Sequence, residues 1–158
     1  MSSAQSTSGE PERGESEEER LVGAYRLIEF RDIADDGEVR HPLGKDPIGF
    51  ITYTPERYML AVLTAAGREP FADGDILRGT DAERVRAFAT SSAYAGRWHI
   101  EDGMVVHHLE AATFPNWVGT IQRRPYELGA DELVLFPPRL LMDGKMRRSE
   151  LRWQRLRR

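Results

Sequence analysis

"RWHIEDGMVVHHLEAAT", residues 97–113, sets two half-apolar runs either side of Asp102-Gly103. Asp-Gly is a favoured two-residue hairpin turn, because both positions must accept a left-handed backbone. A two-residue loop puts Glu101 opposite Met104, Ile100 opposite Val105, His99 opposite Val106, Trp98 opposite His107 and Arg97 opposite His108. Side chains alternate across a strand, so the hairpin has two faces. Trp98, Ile100, Val105, His107, Leu109 and Ala111 form one face; Arg97, His99, Glu101, Met104, Val106, His108 and Glu110 form the other. The apolar face is expected to point inward. The adjacent histidines then do different things, His107 inside beside Trp98 and His108 outside near Arg97. The opposite choice, with His108 and Glu110 as an inward acid–base pair, stays open at this level.

Outward from the hairpin, the same strand-and-turn pattern repeats. Strand-like runs span residues 24–33, 47–54, 57–65, 97–101, 104–113, 119–128, 132–138 and 146–156, mostly with short turns between them. Between the third and fourth, "TDAERVRAFATSSAYAG" changes period. Thr80 and Glu83 form a capping box, and Val85, Phe88 and Ala89 share a helical face, which predicts a helix over residues 81–93. The expected fold is all-β: an eight-stranded antiparallel up-and-down barrel with one helical insertion between strands three and four. Closure removes exposed strand edges, and eight strands leave an interior wide enough for side chains or one small ligand. An open sandwich is the structural alternative.

Residues 1–20, "MSSAQSTSGEPERGESEEER", are rich in Ser, Glu and Gly and have little to bury. They read as a disordered acidic tail whose loss leaves stability unchanged, with residues 21–158 as the barrel domain. The tail carries six acidic and two basic residues, which accounts for the whole net charge of −4. The remaining chain is balanced, so no basic excess marks a nucleic-acid partner. Cysteine is absent, which excludes disulfides, cysteine nucleophiles and thiolate metal sites and fits a reducing compartment. No apolar run approaches the ~20 residues of a membrane span, and the first residues lack the apolar core of a secretory signal. The expectation is a cytoplasmic protein with no membrane partner.

The residues that could carry chemistry are few. An inward His107 is desolvated, mostly neutral, and able to exchange one proton with a ligand or to bond a buried neighbour. His99, His108 and Glu110 make a two-imidazole, one-carboxylate set that suits iron or zinc, but Arg97 shares their face and repels a cation; no metal is expected. Pro115, Asn116 and Trp117 end the strand and place a tryptophan on a loop, as an end plug or as the rim of a pocket. Tyr53, Tyr58, Arg123 and Arg124 are further polar candidates for the interior. Adjacent arginines face opposite ways, so one of that pair points in, and Arg123 is taken as the lumenal one. No nucleophile elbow, phosphate loop or dinucleotide fingerprint is present, and no cofactor is expected.

The segments "LVGAYRLIEF", "PLGKDPIGFITYTPERYMLAVL", "REPFADGD", "YAGRWHIEDGMVVHHLEAATFPNWVGT" and "LRWQRL" resemble the bacterial and fungal lipocalin-like domain family. Gly23 matches the Gly-x-Trp of lipocalin-type opening strands, with Tyr25 in place of the tryptophan. The similarity spans residues 21–156 and is most specific in "HHLEAATFPNWVGT", onto which His107, His108, Glu110, Asn116 and Trp117 are carried over. The resemblance implies a calyx with one internal cavity for a hydrophobic or amphipathic small molecule. Similar barrels are cyclases or isomerases that fold a reactive chain; others are accessory proteins of small-molecule metabolism. The expectation is a cofactor-free cyclase or isomerase acting on an apolar, polyketide-like metabolite of secondary metabolism. The alternatives are a passive carrier and a barrel filled by its own side chains. On the enzymatic reading, His107, His108 and Glu110 are the catalytic candidates, and Tyr53, Tyr58, Trp98, Asn116, Trp117 and Arg123 contact the ligand.

Overall fold

Residues 14–157 are described in the computed structural model of the chain. A short helix α1 (Glu17–Leu21) leads into strands β1 (Gly23–Ala34), β2 (Val39–Arg40), β3 (Ile48–Tyr53) and β4 (Tyr58–Thr64). Helix α2 (Asp81–Ala89), β5 (Ser91–Glu101), β6 (Met104–Ala112) and a single 3-10 turn (Pro115–Trp117) follow. The chain then forms β7 (Ile121–Leu128), β8 (Glu132–Leu135), β9 (Leu140–Met142) and β10 (Lys145–Arg155). Every ladder is antiparallel. The strands run in the order β2-β1-β3-β4-β5-β6-β7-β8-β10-β9, and β1 also pairs with β10. That last pairing closes β1, β3, β4, β5, β6, β7, β8 and β10 into an eight-stranded barrel, with β2 and β9 as short additions at one end. The expected barrel, with its helix inserted after the third long strand, is what the chain forms.

The β5–β6 hairpin turns through Asp102 and Gly103, with φ of 52° and 71°. Two successive positive φ angles make the primed turn whose twist matches the strands. Its register is the expected one from Glu101↔Met104 to Arg97↔His108. Further along, a bulge leaves Glu110 unpaired, because Gly96 faces Leu109 and Ala95 faces Ala111. A Cβ on Gly96 would stand 1.8 Å from the His108 carbonyl oxygen, so only glycine permits this close approach. The bulge shifts the alternation, and Ala111, expected among the inward residues, is exposed.

The barrel has two unlike ends. The turns at 54–57, 102–103 and 129–131 lie at the end where β1 begins, and α1 closes that floor. Ser16 and Glu19 cap α1 reciprocally. Leu21 is fully buried, and the Tyr25 hydroxyl donates to its carbonyl at 2.7 Å. Glu18 accepts from the Ile100 amide at 3.2 Å and pairs with Arg57. Within the stretch expected to be a disordered tail, residues 17–20 are helical and docked on this floor, because the Ser-x-x-Glu signal fixes a helix start that composition alone conceals. Residues 1–13 lie outside the described residues.

The opposite end is the mouth, built from residues 35–47, 65–90, 113–120 and 136–144. Helix α2 has the expected Thr80–Glu83 capping box but stops at Ala89. Residues 91–93, expected to be helical, instead pair with Thr64, Leu63 and Val62 of β4. The ladder satisfies a whole row of backbone groups, which outweighs weak local propensity. The shared apolar face of α2 stays in solvent, with Val85 68% and Phe88 53% exposed.

Candidate ligand-binding site

Inside the lower barrel the side chains fill the lumen. Tyr25, Tyr53, Trp98, Leu133 and Trp153 are all buried. Tyr53 meets Tyr25 edge-on at 6.4 Å and Trp98 edge-on at 5.1 Å. The Trp98 indole donates to the Thr54 carbonyl at 3.2 Å. His107 caps this stack. It is fully buried, and its Nε2 bonds the Tyr53 hydroxyl at 2.9 Å. Its Nδ1 has no partner. Burial first, and then the nearby Arg124 charge, hold His107 well below its usual pKa, so it is neutral. Burial likewise pushes the Tyr53 hydroxyl well above its usual value and that of Tyr25 up to about 12. The Tyr53–His107 pair is thus an uncharged, packed unit.

Above it the barrel opens into a cavity of about 60 Å³ that reaches the mouth. Phe30, Leu63, Leu140, Leu151, Pro137 and Pro138 form apolar walls. Tyr94, Gln122, Arg124, Ser92 and Ser149 bring polar atoms, and Trp117 stands at the rim. Trp117 is held edge-on between Tyr94 and Phe114, 5.6 Å from each. Pro115 begins the 3-10 turn that carries Trp117, and the Gly119 amide donates back to the Leu109 carbonyl at 2.8 Å.

Arg124 is the unusual group. It is 2% exposed, and its guanidinium lies over the Tyr94 ring at 5.2 Å. Its Nη1 donates to the Tyr94 hydroxyl at 3.1 Å and its Nη2 to Gln122 Oε1 at 2.6 Å. Its Nε has no partner. Among the described residues, Asp32 is the one buried carboxylate; its Oδ1 pairs with Arg147 at 2.9 Å and Arg40 at 3.5 Å, and its Oδ2 has no partner. Arg147 also reaches Glu38 at 2.9 Å, and Lys145 bonds Glu38 and Asp36, so this wall of the mouth is an ion-pair clasp. Among the described residues, the hydrogen-bond partners of Arg124 are a tyrosine hydroxyl and an amide oxygen, with no carboxylate. A buried cation without a counter-charge is costly, and an electron-rich ligand oxygen relieves that cost.

The structure separates the sequence-predicted residues. Tyr53, Trp98 and His107 are in the interior but below the cavity, and Trp117 lines it. His108 is on the outer face, its ring 5.1 Å from that of His99. Glu110 is exposed and sits 3.7 Å from Arg97. The inward pairing of His108 with Glu110 therefore does not form. Tyr58 is 41% exposed and takes a hydrogen bond from Arg97 at 2.9 Å outside the barrel. Asn116 is exposed on its turn. Arg123 points outward to Glu101 at 3.2 Å, so the lumenal arginine is Arg124. The reason is register: Arg124 pairs with inward Val105, and Arg123 with Val106 on the outer face. Tyr126 and Leu128 share the parity of Arg124, a signal already present in the sequence. Tyr94, Gln122 and Ser149 carry no local motif that marks them in the sequence.

A family model described as a lipocalin-like domain matches residues 22–156. The 4'-hydroxy-3'-methoxypropiophenone carrier protein ppsC of Aspergillus oryzae is 32% identical over 108 residues, covering 62% of this chain and 96% of that protein.

Proposed function

The chain belongs to the lipocalin-like domain family, and from that premise we propose that it binds and carries a small aromatic molecule whose oxygen seats on Arg124. The observation that carries this reading is a buried, cavity-lining arginine with no carboxylate partner among the described residues. The walls fit an aromatic ring: Phe30, Leu63 and Leu151 pack its faces, and Trp117 covers it from the mouth. The ligand for which the Aspergillus carrier is named, an aryl ketone, has that combination of ring and acceptor oxygen.

The cavity of about 60 Å³ is smaller than the ~150 Å³ that holds benzene. Seating a ring requires the mouth to widen. The cyclase or isomerase reading has less support. Its best proton carrier, His107, is neutral, bonded to Tyr53 and not among the residues that line the cavity; its ring stands 6.4 Å from that of the lining Tyr94. No helix among the described residues is long and apolar enough to cross a membrane, and the cysteine-free sequence supports a cytoplasmic setting.

Titration with 4'-hydroxy-3'-methoxypropiophenone, followed by tryptophan fluorescence, tests the proposal. Saturable quenching is expected, with the compound recovered unchanged. Arg124→Met is expected to weaken binding at least ~tenfold, equivalent to ~1.4 kcal/mol. Absence of saturable binding by this and related aryl ketones overturns the carrier reading; turnover of the compound restores the enzymatic one.

A further inference from the structure

Resting on the reading above, we infer that the ligand class is a weakly acidic hydroxyl compound, a phenol, and that the barrel holds it as its anion. The argument starts from charge. Arg124 is positive, buried and, among the described residues, without an ion-pair partner, and its hydrogen-bond partners are uncharged. Tyr94 from β5, His107 from β6, Tyr53 from β3, and Gln122 from its own strand surround it. Asp32 of β1 and Arg147 of β10 neutralise each other at 2.9 Å across the mouth. A cation in such surroundings favours the charged form of an acidic group brought beside it.

Hydrogen bonding points the same way. The Tyr94 oxygen accepts from Arg124, which leaves its own hydrogen for an oxygen in the cavity. Ser149 supplies a second hydroxyl to the same space. A hydroxyl hydrogen beside a fixed positive charge stabilises an oxyanion more than a neutral hydroxyl, as in sites that bind developing negative charge. The number of oxygens is also selected. Both terminal nitrogens of Arg124 are engaged, by Tyr94 and Gln122, and Nε alone is unpartnered. A carboxylate held side-on needs two adjacent donors and would displace Gln122; a single phenolate oxygen does not. On binding, the phenol O–H bond breaks, its proton leaves to solvent, and the electron pair stays on the oxygen facing Arg124.

The test uses the full chain with a 4-hydroxyaryl ketone, whose phenolate absorbs at longer wavelength than its phenol, and with the methyl ether of that ketone. At one pH unit below the free probe's pKa, only ~10% of the free compound is ionised. At least half of the bound probe is expected to show the phenolate spectrum. The ether is expected to bind at least ~tenfold more weakly, and Tyr94→Phe is expected to lower the bound phenolate share. A bound probe with the phenol spectrum, and an ether of equal affinity, overturns this inference while leaving the carrier reading intact. Failure of both compounds to bind removes the carrier reading and this inference with it. Neither the wild-type spectrum nor the ether comparison depends on a variant that folds.

Discussion

The lower and upper halves of this barrel are made of the same strands but obey different rules. Below His107 the interior is filled, and nearly every polar atom that enters it is neutral. Tyr25 bonds Leu21, Trp98 bonds Thr54 and Tyr53 bonds His107. Above His107 the packing stops short, and a cation is left among uncharged groups. The lower half is what a sequence does to be stable; the upper half gives up some of that stability for a site that wants something else inside it.

That contrast is easiest to break from below. Trp98→Ala removes one of the two tryptophans of the filled half, and roughly 3–5 kcal/mol of unfolding free energy is expected to go with it in urea denaturation. A loss below ~1 kcal/mol would mean that the lower half is not the stabilising one. Removing residues 1–20 is the next test. It strips the Ile100 amide and Arg57 of their Glu18 acceptor and uncovers the floor, and a loss of ~2 kcal/mol is expected. An unchanged melting temperature would return these residues to the status of a tail.

His107 marks the boundary, and pH probes it. In the fold it stays neutral, its pKa well below the ordinary 6.5. The unfolded chain takes up a proton at this position as pH falls through about 6.5, and the folded chain does not. The contribution is therefore complete above that pH and is lost below it, by up to ~1.4 kcal/mol per pH unit. His107→Gln is expected to flatten the acid limb of stability against pH; an unchanged limb would show that this histidine titrates normally.

In the upper half the sign reverses. Arg124→Met removes an uncompensated buried charge at similar volume, and a gain of ~1 kcal/mol in stability is expected alongside the loss of binding. A loss of stability instead would mean that Arg124 is structural. The smallest effect belongs outside the barrel. His108→Ala touches only the outer face and is expected to cost less than ~1 kcal/mol with no change in ligand affinity.

Which of these features can be read in the sequence follows from how local their causes are. The inward His107 and outward His108 depend on one dipeptide turn and on alternation, both contained within 97–108. Arg124 depends on how β7 registers against β6 across the eight-residue connection 113–120, and no local signal sets that slide. Only Tyr126 and Leu128, further along the same strand, point to its parity. The bulge at Glu110 is equally hidden, because it follows from Gly96 meeting the His108 backbone across the hairpin. Helix α1 was legible in Ser16 and Glu19, but its acidic composition concealed it. The cavity itself gathers Phe30, Tyr94, Trp117, Arg124 and Ser149 from five parts of the chain, and only closure brings them together.

The pairing that makes this closure carries a kinetic consequence. Tyr25 meets Arg155 and Ala34 meets Arg147, joining the two ends of the described chain along their longest ladder. Contacts so distant in sequence form slowly, since the entropy of a long loop must be lost before any of them is made. Until that seam zips, one side of β1 and one side of β10 are open ladders able to recruit a foreign strand. Seam residues therefore govern how long the chain stays vulnerable to aggregation during refolding, largely independently of how tightly the finished vessel grips its cargo.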